Sequence, residues 1–182
     1  MQNKTKKSNK GFTLLETLLA IALFSSLILA PLSIASNGLS SAIASKERIT
    51  AIALAQDALE YIRATRDTNR LNNVDWLSGL DGSQQCRYNI NGNGHKGCRV
   101  DTLASSVDRI KPNDDTNFGF IRLDTNTGLY GYNVAWIQTK FTRYAIVDEL
   151  VDGREARITA VVNWQTPFTT KTVSVVELLT NW

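Results

Sequence analysis

The sequence has few of the residues that enzymes commonly use for catalysis. Its 182 residues include one histidine, His95, and two cysteines, Cys86 and Cys98. A single histidine in a loop-rich stretch gives no good support for a serine–histidine–aspartate triad or a cysteine–histidine dyad. No glycine-rich phosphate-binding loop follows a predicted strand. The sequence therefore predicts a protein that is not an enzyme.

Excess positive charge is confined to the first ten residues, which carry Lys4, Lys6, Lys7 and Lys10 and no acid. The whole chain has 20 Lys+Arg and 17 Asp+Glu. Without the four leader lysines, 16 basic residues face 17 acidic ones, a net charge of −1. Nucleic-acid binding needs a clustered basic face, so we expect no nucleic-acid partner.

An apolar run follows this leader, from Phe12 to Ala35, with Glu16 as its only charge. A run of this length spans a bilayer as a helix, and the basic leader is the cytoplasmic flank that the positive-inside rule predicts. A secretory signal would have a shorter apolar region, with the cleavage site after it. A carboxylate inside such a run is costly and calls for a partner.

The junction from Lys10 to Glu16 resembles the N-terminus of type IV prepilins and the related pseudopilins. The resemblance implies that a prepilin peptidase cleaves after Gly11 and that Phe12 is then N-methylated. It also implies that Glu16 pairs with the N-terminal amine of a neighbouring subunit and sets the register of assembly. The alternatives are an uncleaved single-pass anchor and a carboxylate that only favours the start of the helix.

The resemblance further implies a path from the membrane to a filament. The chain is expected to enter the inner membrane as a single span, with its head outside the cytoplasm. It would then join other pilin or pseudopilin subunits in a type IV pilus or a type II secretion-like pseudopilus. The segments Ala53–Glu60 and Glu177–Trp182 look like those of minor pilins, which favours a minor subunit. The alternative from another class is an uncleaved, membrane-anchored protein whose head binds an extracellular ligand.

Helical spacing continues beyond the apolar run. The expected division is a leader at 1–11, a membrane or filament-core helix at 12–35, an amphipathic half at 36–66 and a globular head at 67–182. Pro31 predicts a kink, or a short melted stretch over residues 28–31. The apolar stripe of the amphipathic half is expected at Leu39, Ile43, Ile49, Ile52, Leu59 and Ile62.

The head is expected to be an antiparallel sheet packed on the amphipathic half, which makes the fold α+β. Short hairpin strands are predicted at Arg87–Ile90 and Cys98–Asp101, around an Asn-Gly turn. Patterns of β-branched and alternating residues then predict five more strands as a simple meander. These are Phe118–Leu123, Tyr132–Gln138, Phe141–Asp148, Glu155–Asn163 and Lys171–Leu179.

Cys86 and Cys98 flank the predicted turn. A disulfide suits an oxidising compartment outside the membrane, and it would stabilise the fold by roughly 2–3 kcal/mol. Free thiols and a zinc site with His95 are the alternatives, although three ligands at this spacing fit no common zinc pattern.

A second candidate cation site is the stretch from Asp124 to Gly128, which begins like a calcium loop but lacks the later bidentate glutamate. Asp114 and Asp115 could add oxygen ligands there. We expect a plain turn and no cofactor, with calcium as the alternative.

Overall fold

The computed structural model describes residues 11–80, 86, 97–104, 106–109 and 119–182. Its described elements are one helix, α1, and a sheet of seven strands. The bounds are α1 Leu14–Leu71, β1 Cys98–Asp101, β2 Ser106–Arg109, β3 Phe120–Leu123, β4 Tyr130–Gly131, β5 Ile137–Val151, β6 Glu155–Gln165 and β7 Thr170–Thr180. The predicted α+β fold is confirmed. The chain divides into two compact units, Met1–Lys46 and Glu47–Trp182, and we call the second unit the head.

The long helix extends further than the spacing indicated, since α1 ends at Leu71 instead of Arg66. It also runs through Pro31. Proline removes one backbone hydrogen bond, but the helix continues on both sides of that position. The melted stretch predicted at residues 28–31 is therefore absent, while a bend at Pro31 stays a prediction.

The apolar stripe of the amphipathic half was placed partly on the wrong residues. Ile49 is 67 % exposed, and Leu39 and Ile43 are exposed as well. The buried stripe has the i, i+3, i+4 spacing of one helix face, and small alanines make up half of it. Its residues are Ala51, Leu54, Ala55, Ala58, Leu59 and Ile62. The prediction included Leu59 and Ile62 of this face but not Ala51, Leu54 or Ala58.

Strand β5 is the centre of the sheet. It pairs with β6 along one side, and β6 pairs in turn with β7. On its other side, β5 pairs with β3 through its first half and with β1 at Ala145. All these pairings are antiparallel. The simple meander is therefore confirmed for β5–β6–β7, whereas β3 lies between β4 and β5 and breaks the sequential order.

Two strand predictions need correction. Residues 132–136 form a turn instead of a strand, because Asn133 accepts hydrogen bonds from Ala135 N at 3.0 Å and Trp136 N at 3.0 Å. Strand β5 starts at Ile137 and includes Thr139 and Lys140, which the prediction placed between two separate strands. Strand β2 was not predicted, and the predicted strand Arg87–Ile90 lies outside the described residues.

The core of the head lies between the buried stripe of α1 and one face of the sheet. Alternate residues of β5 and β6 point into it, as the two-residue period of a strand requires. The buried residues on β5 are Phe141, Arg143, Ala145 and Val147, and those on the same face of β6 are Ala156, Ile158, Ala160, Val162 and Trp164. All of them are apolar except Arg143.

Candidate assembly segment and head contacts

The helix starts one residue after Thr13, which caps it. The Oγ1 atom of Thr13 accepts a hydrogen bond from Glu16 N at 3.3 Å, and its carbonyl accepts from Glu16 N at 3.0 Å and Thr17 N at 3.2 Å. Threonine followed three residues later by glutamate is the capping-box pattern. The sequence contained this signal, and our prediction missed it. Glu16 therefore lies in the first turn, where the helix dipole favours a negative charge.

Gly11 and Phe12 lie before the helix and are exposed. A Cβ atom added at Gly11 would meet nothing within 4 Å. The fold of this chain thus gives no reason for glycine at this position. Cleavage between the two residues would leave Thr13 and its capping bonds in place, and it would put the new amine one residue before the cap.

Large apolar side chains cover every side of the first part of α1. Within Met1–Lys46 the large exposed side chains include Phe12, Leu14, Leu15, Leu18, Leu19, Ile21, Leu23, Phe24, Leu27, Leu32 and Ile34. Among the described residues, α1 is the one helix that is long and apolar enough to cross a membrane, judged by length and composition alone. Glu16 makes no ion pair among the residues that the structure describes. An apolar surface of this extent needs lipid or other helices around it.

In the head, a buried arginine joins the helix to two strands. Arg143 on β5 is 1 % exposed. Its guanidinium donates to the carboxylate of Asp57 at 2.6 Å, to the carbonyl of Leu54 at 2.9 Å and to the carbonyl of Val100 on β1 at 2.7 Å. The hydroxyl of Thr102 also donates to Asp57, at 2.9 Å. One charged side chain thereby fixes α1, β1 and β5 to one another.

Three arginines on one side of α1 hold the last strand. Arg63 pairs with Glu177 on β7 at 2.5 Å, and this hydrogen bond raises the pKa of the arginine above its ordinary value. Arg66 donates to the carbonyl of Thr180 at 2.7 Å, and Arg70 donates to that of Trp182 at 2.7 Å. The arginines follow the helical spacing, so β7 and the residues after it are fastened along nearly two turns of α1.

Glu47 connects the first residues of the head portion of α1 to the sheet. Its carboxylate pairs with the ammonium group of Lys140 on β5 and accepts a hydrogen bond from Trp164 Nε1 on β6 at 3.0 Å. The rings of Trp164 and Phe141 lie beside it, with their centroids 6.0 Å apart. This contact marks the end of the head at which the chain enters it.

Cys86 and Cys98 form a disulfide whose sulfurs are buried in the core. Cys86 is also tied to the sheet, because its carbonyl accepts from Val147 N at 3.0 Å. Gly97 precedes the second cysteine with φ at 108°, and a Cβ there would come within 2.3 Å of the Ala145 carbonyl oxygen. Glycine thus allows β1 to approach β5. His95 lies outside the described residues.

The candidate calcium loop is a turn whose aspartate is already engaged. The carboxylate of Asp124 accepts from Asn126 N at 3.0 Å and from the hydroxyl of Thr127 at 2.7 Å. These bonds, the one from Asn126 first, lower the pKa of Asp124. Within the described part of the chain, no three metal-binding side chains cluster. Asp114 and Asp115 lie outside it, and calcium binding stays an untested prediction.

Comparison with known proteins identifies the N-terminal segment. The prokaryotic N-terminal methylation motif matches residues 6–30. This motif is the signature of type IV prepilins and pseudopilins, so the resemblance noted from Gly11, Phe12 and Glu16 is confirmed. No curated protein and no solved structure gives a significant match to the chain.

The N-terminal segment therefore carries the type IV prepilin and pseudopilin signature, and this motif supports a protein of pilin or pseudopilin type. The motif implies processing by a prepilin peptidase and assembly with other pilins. It points to a structural subunit instead of an enzyme, and together with the apolar helix it indicates membrane anchoring. The match covers only the first part of the chain, so the head must be interpreted from its own contacts.

Proposed function

We propose that the protein is a minor pilin or pseudopilin subunit that assembles through the first part of α1 after its leader is removed. The observation that carries the proposal is the combination of a methylation motif with a helix whose apolar side chains are exposed on all sides. A monomer in water would not leave such a surface uncovered. In the membrane lipid covers it, and in a filament neighbouring helices take the place of lipid.

The processing step is supported by the position of Gly11. Nothing within 4 Å of its Cβ position requires glycine, so we infer that the requirement comes from the peptidase. Cleavage there creates a positive amine on Phe12, four residues from Glu16 and at the same end of the helix. In an apolar surrounding the carboxylate needs such a partner, and we propose that the amine of a neighbouring subunit supplies it.

We propose that the sheet and the part of α1 that belongs to the head move together as one rigid unit. Arg143, the three arginines that hold β7 and Glu47 each join α1 to the sheet. A force applied to the helix therefore reaches the sheet through many bonds at once. This property suits a subunit whose helix is held in a filament core while its head stands at the surface.

Processing is tested by intact mass and N-terminal sequencing of the protein from membranes that contain a prepilin peptidase. We expect a chain that begins at N-methylated Phe12. A chain that still begins at Met1 in the presence of active peptidase would contradict the proposal and favour an uncleaved, membrane-anchored binding protein.

Assembly is tested with two substitutions at Glu16. Glu16→Gln retains the capping-box pattern but removes the charge, whereas Glu16→Val removes both. We expect both variants to enter the membrane and to be cleaved, and to be lost from filaments at least tenfold. The control is Thr17→Val, which removes a neighbouring hydroxyl that bonds only within its own helix, to Leu14 O at 2.8 Å.

Normal incorporation of Glu16→Gln together with loss of Glu16→Val would show that Glu16 acts in helix capping. The ratio of copies of this chain to copies of the most abundant subunit in purified filaments then tests whether the chain is a minor subunit. A chain that forms most of the filament mass would be a major subunit.

A further inference from the structure

The turn between β6 and β7 holds a phenylalanine outward. Phe168 is 97 % exposed, yet its turn is well closed. Thr166 N donates to the carbonyl of Thr169 at 2.9 Å, and Thr169 N donates to Thr166 Oγ1 at 3.3 Å. Pro167 suits the first central position of a turn, but the next position normally takes glycine, asparagine, aspartate or serine. An ordered turn that fully exposes phenylalanine indicates a contact outside the chain.

A second closed turn, at residues 133–136, exposes Val134 by 83 %. Besides the two bonds to Asn133, this turn is held by Arg122, whose guanidinium donates to the carbonyls of Val134 at 3.1 Å and Trp136 at 3.0 Å. Ile137 follows the turn directly as the first residue of β5 and is 62 % exposed. The backbone bonds fix these apolar residues in their outward positions.

Both turns lie at the same end of the sheet. The last pair between β5 and β6 joins Phe141 to Trp164. The residues of β5 before Phe141 therefore lie at the end of the sheet where β6 ends at Gln165 and the turn that carries Phe168 begins. We call Val134, Ile137 and Phe168 the apolar tip. It lies at the end of the head where Glu47 bonds Lys140 and Trp164, which is where the chain enters.

The two stretches that form this end, 133–140 and 164–171, contain no acidic residue, although the whole chain has 17. Of their aromatic side chains, Phe168 is exposed and Trp136 is partly exposed, whereas Trp164 is buried in the core. Of their two lysines, Lys171 is exposed and Lys140 is paired with Glu47. Aromatic rings with lysines and without carboxylates are typical of segments at a membrane–water interface.

Two carboxylates come near this end from neighbouring segments, and both are engaged. Glu47 pairs with Lys140, and Asp124, which follows the β3 residue paired with Ile137, bonds within its own turn. The end of the head therefore presents apolar side chains and the amine of Lys171, while a partly exposed carboxylate, that of Asp124, lies beside the start of β5 and is held within its own turn.

The stretch of chain between the apolar run and the head is short. Only residues 36–46 separate the run from Glu47. Even fully extended, a stretch of this length spans no more than roughly 40 Å, so connectivity alone limits how far the first residue of the head can lie from a run that is held in the membrane.

We propose that the apolar tip inserts into the headgroup region of the membrane that anchors the chain, and that Lys171 faces the lipid phosphates. The contact would hold the head on the membrane before assembly, and extraction into a filament would have to break it. The inference rests on membrane anchoring and not on the distinction between pilus and pseudopilus.

The test places the photoreactive residue p-benzoylphenylalanine at position 168 of the full chain, in vesicles of phosphatidylethanolamine with a minority of phosphatidylglycerol. The control has the same residue at Leu178, which is 57 % exposed near the far end of β7, the strand that follows the turn of Phe168. On illumination we expect a lipid adduct at position 168, at least several-fold more abundant than at position 178. Equal labelling at both positions, no adduct, or a cross-linked dimer in place of the lipid adduct would overturn the proposal.

A second measurement separates this inference from the proposed function. The probe is moved to Val134, and Phe168→Glu is compared with Phe168→Leu. We expect Phe168→Glu to lower the yield of the lipid adduct at position 134 several-fold and Phe168→Leu to retain most of it. An unchanged yield in Phe168→Glu would refute the idea that Phe168 and Val134 enter the membrane together. Resistance of the chain to carbonate extraction reports membrane insertion separately. Loss of insertion would count against the anchoring itself, whereas full insertion without an adduct at the tip would count against this contact alone.

Discussion

Removal of the carboxylate of Asp57 should destabilise the head, because it leaves Arg143 buried without its counter-charge. Arg143 is 1 % exposed, so water cannot replace the lost carboxylate around its guanidinium. In Asp57→Ala its bonds to the carbonyls of Leu54 and Val100 remain, while the charge-assisted bond at 2.6 Å is lost. The substitution also removes the exposed hydrogen bond that Asp57 accepts from Thr102 at 2.9 Å, so the cost includes that smaller loss.

The magnitude follows from the position of the two partners. Loss of one partner from a fully buried pair costs roughly 3–5 kcal/mol. The side chain of Asp57 is 46 % exposed, however, so water already screens part of the attraction. We therefore expect Asp57→Ala to lower the free energy of unfolding by about 2–3 kcal/mol. The matched control is Asp148→Ala, which breaks an aspartate–arginine pair whose side chains are both more than 40 % exposed and should cost less than about 1 kcal/mol.

The assay is urea unfolding of the full chain in detergent micelles, followed by tryptophan fluorescence. All four tryptophans, at positions 76, 136, 164 and 182, lie in the head, so the signal reports the head and not the apolar helix. A double-mutant cycle with Arg143→Met should give a coupling of at least about 1 kcal/mol. Equal costs for Asp57→Ala and Asp148→Ala, or a coupling near zero, would refute the reasoning.

Further predictions concern the disulfide and the response to alkaline pH. Replacement of Cys86 and Cys98 together by alanine should cost about 3 kcal/mol, because the bond closes a loop with a sequence separation of 12. The same urea assay checks this, and an unchanged midpoint would contradict it. Burial raises the pKa of Tyr132, so above pH ~10 the unfolded chain binds fewer protons and stability falls as pH rises. Tyr132→Phe should flatten that fall between pH 10 and 12, and an identical slope in both proteins would rule out the assigned cause.

Regular patterns along the chain predicted most of the fold, because they depend on near neighbours. Strands β6 and β7 follow alternating β-branched residues, and the Asp152-Gly153 turn joins β5 to β6 with Gly153 at a φ of 65°. The bounds of these strands differ from the prediction by one or two residues. The turn at 132–136 was missed because Asn133 bonds its own neighbours, and strand propensity alone does not show this.

Contacts distant in sequence could not be predicted in the same way. Asp57 and Arg143 are separated by 86 positions, and no local pattern pairs them. One signal was nevertheless available. In β5, Arg143 takes an inward position between Phe141 and Ala145, where a buried charge must have a partner. The sequence thus indicated that a partner existed, and only the fold identified it as Asp57 on the helix.

In the head, contacts within the unit explain why particular residues occur at their positions, whereas in the first unit they explain much less. In the head, unusual residues have visible causes: Gly97 avoids the Ala145 carbonyl, and Arg143 satisfies three acceptors. Among the described residues of the first unit, none lies within 4 Å of a Cβ at Gly11, and large apolar side chains such as Leu18 and Phe24 are exposed. The capping bond accounts for the place of Glu16 on the helix but not for a charge in an apolar run. Contacts among the described residues of this unit therefore leave these features unexplained, and the methylation motif implies processing by a prepilin peptidase and assembly with other pilins.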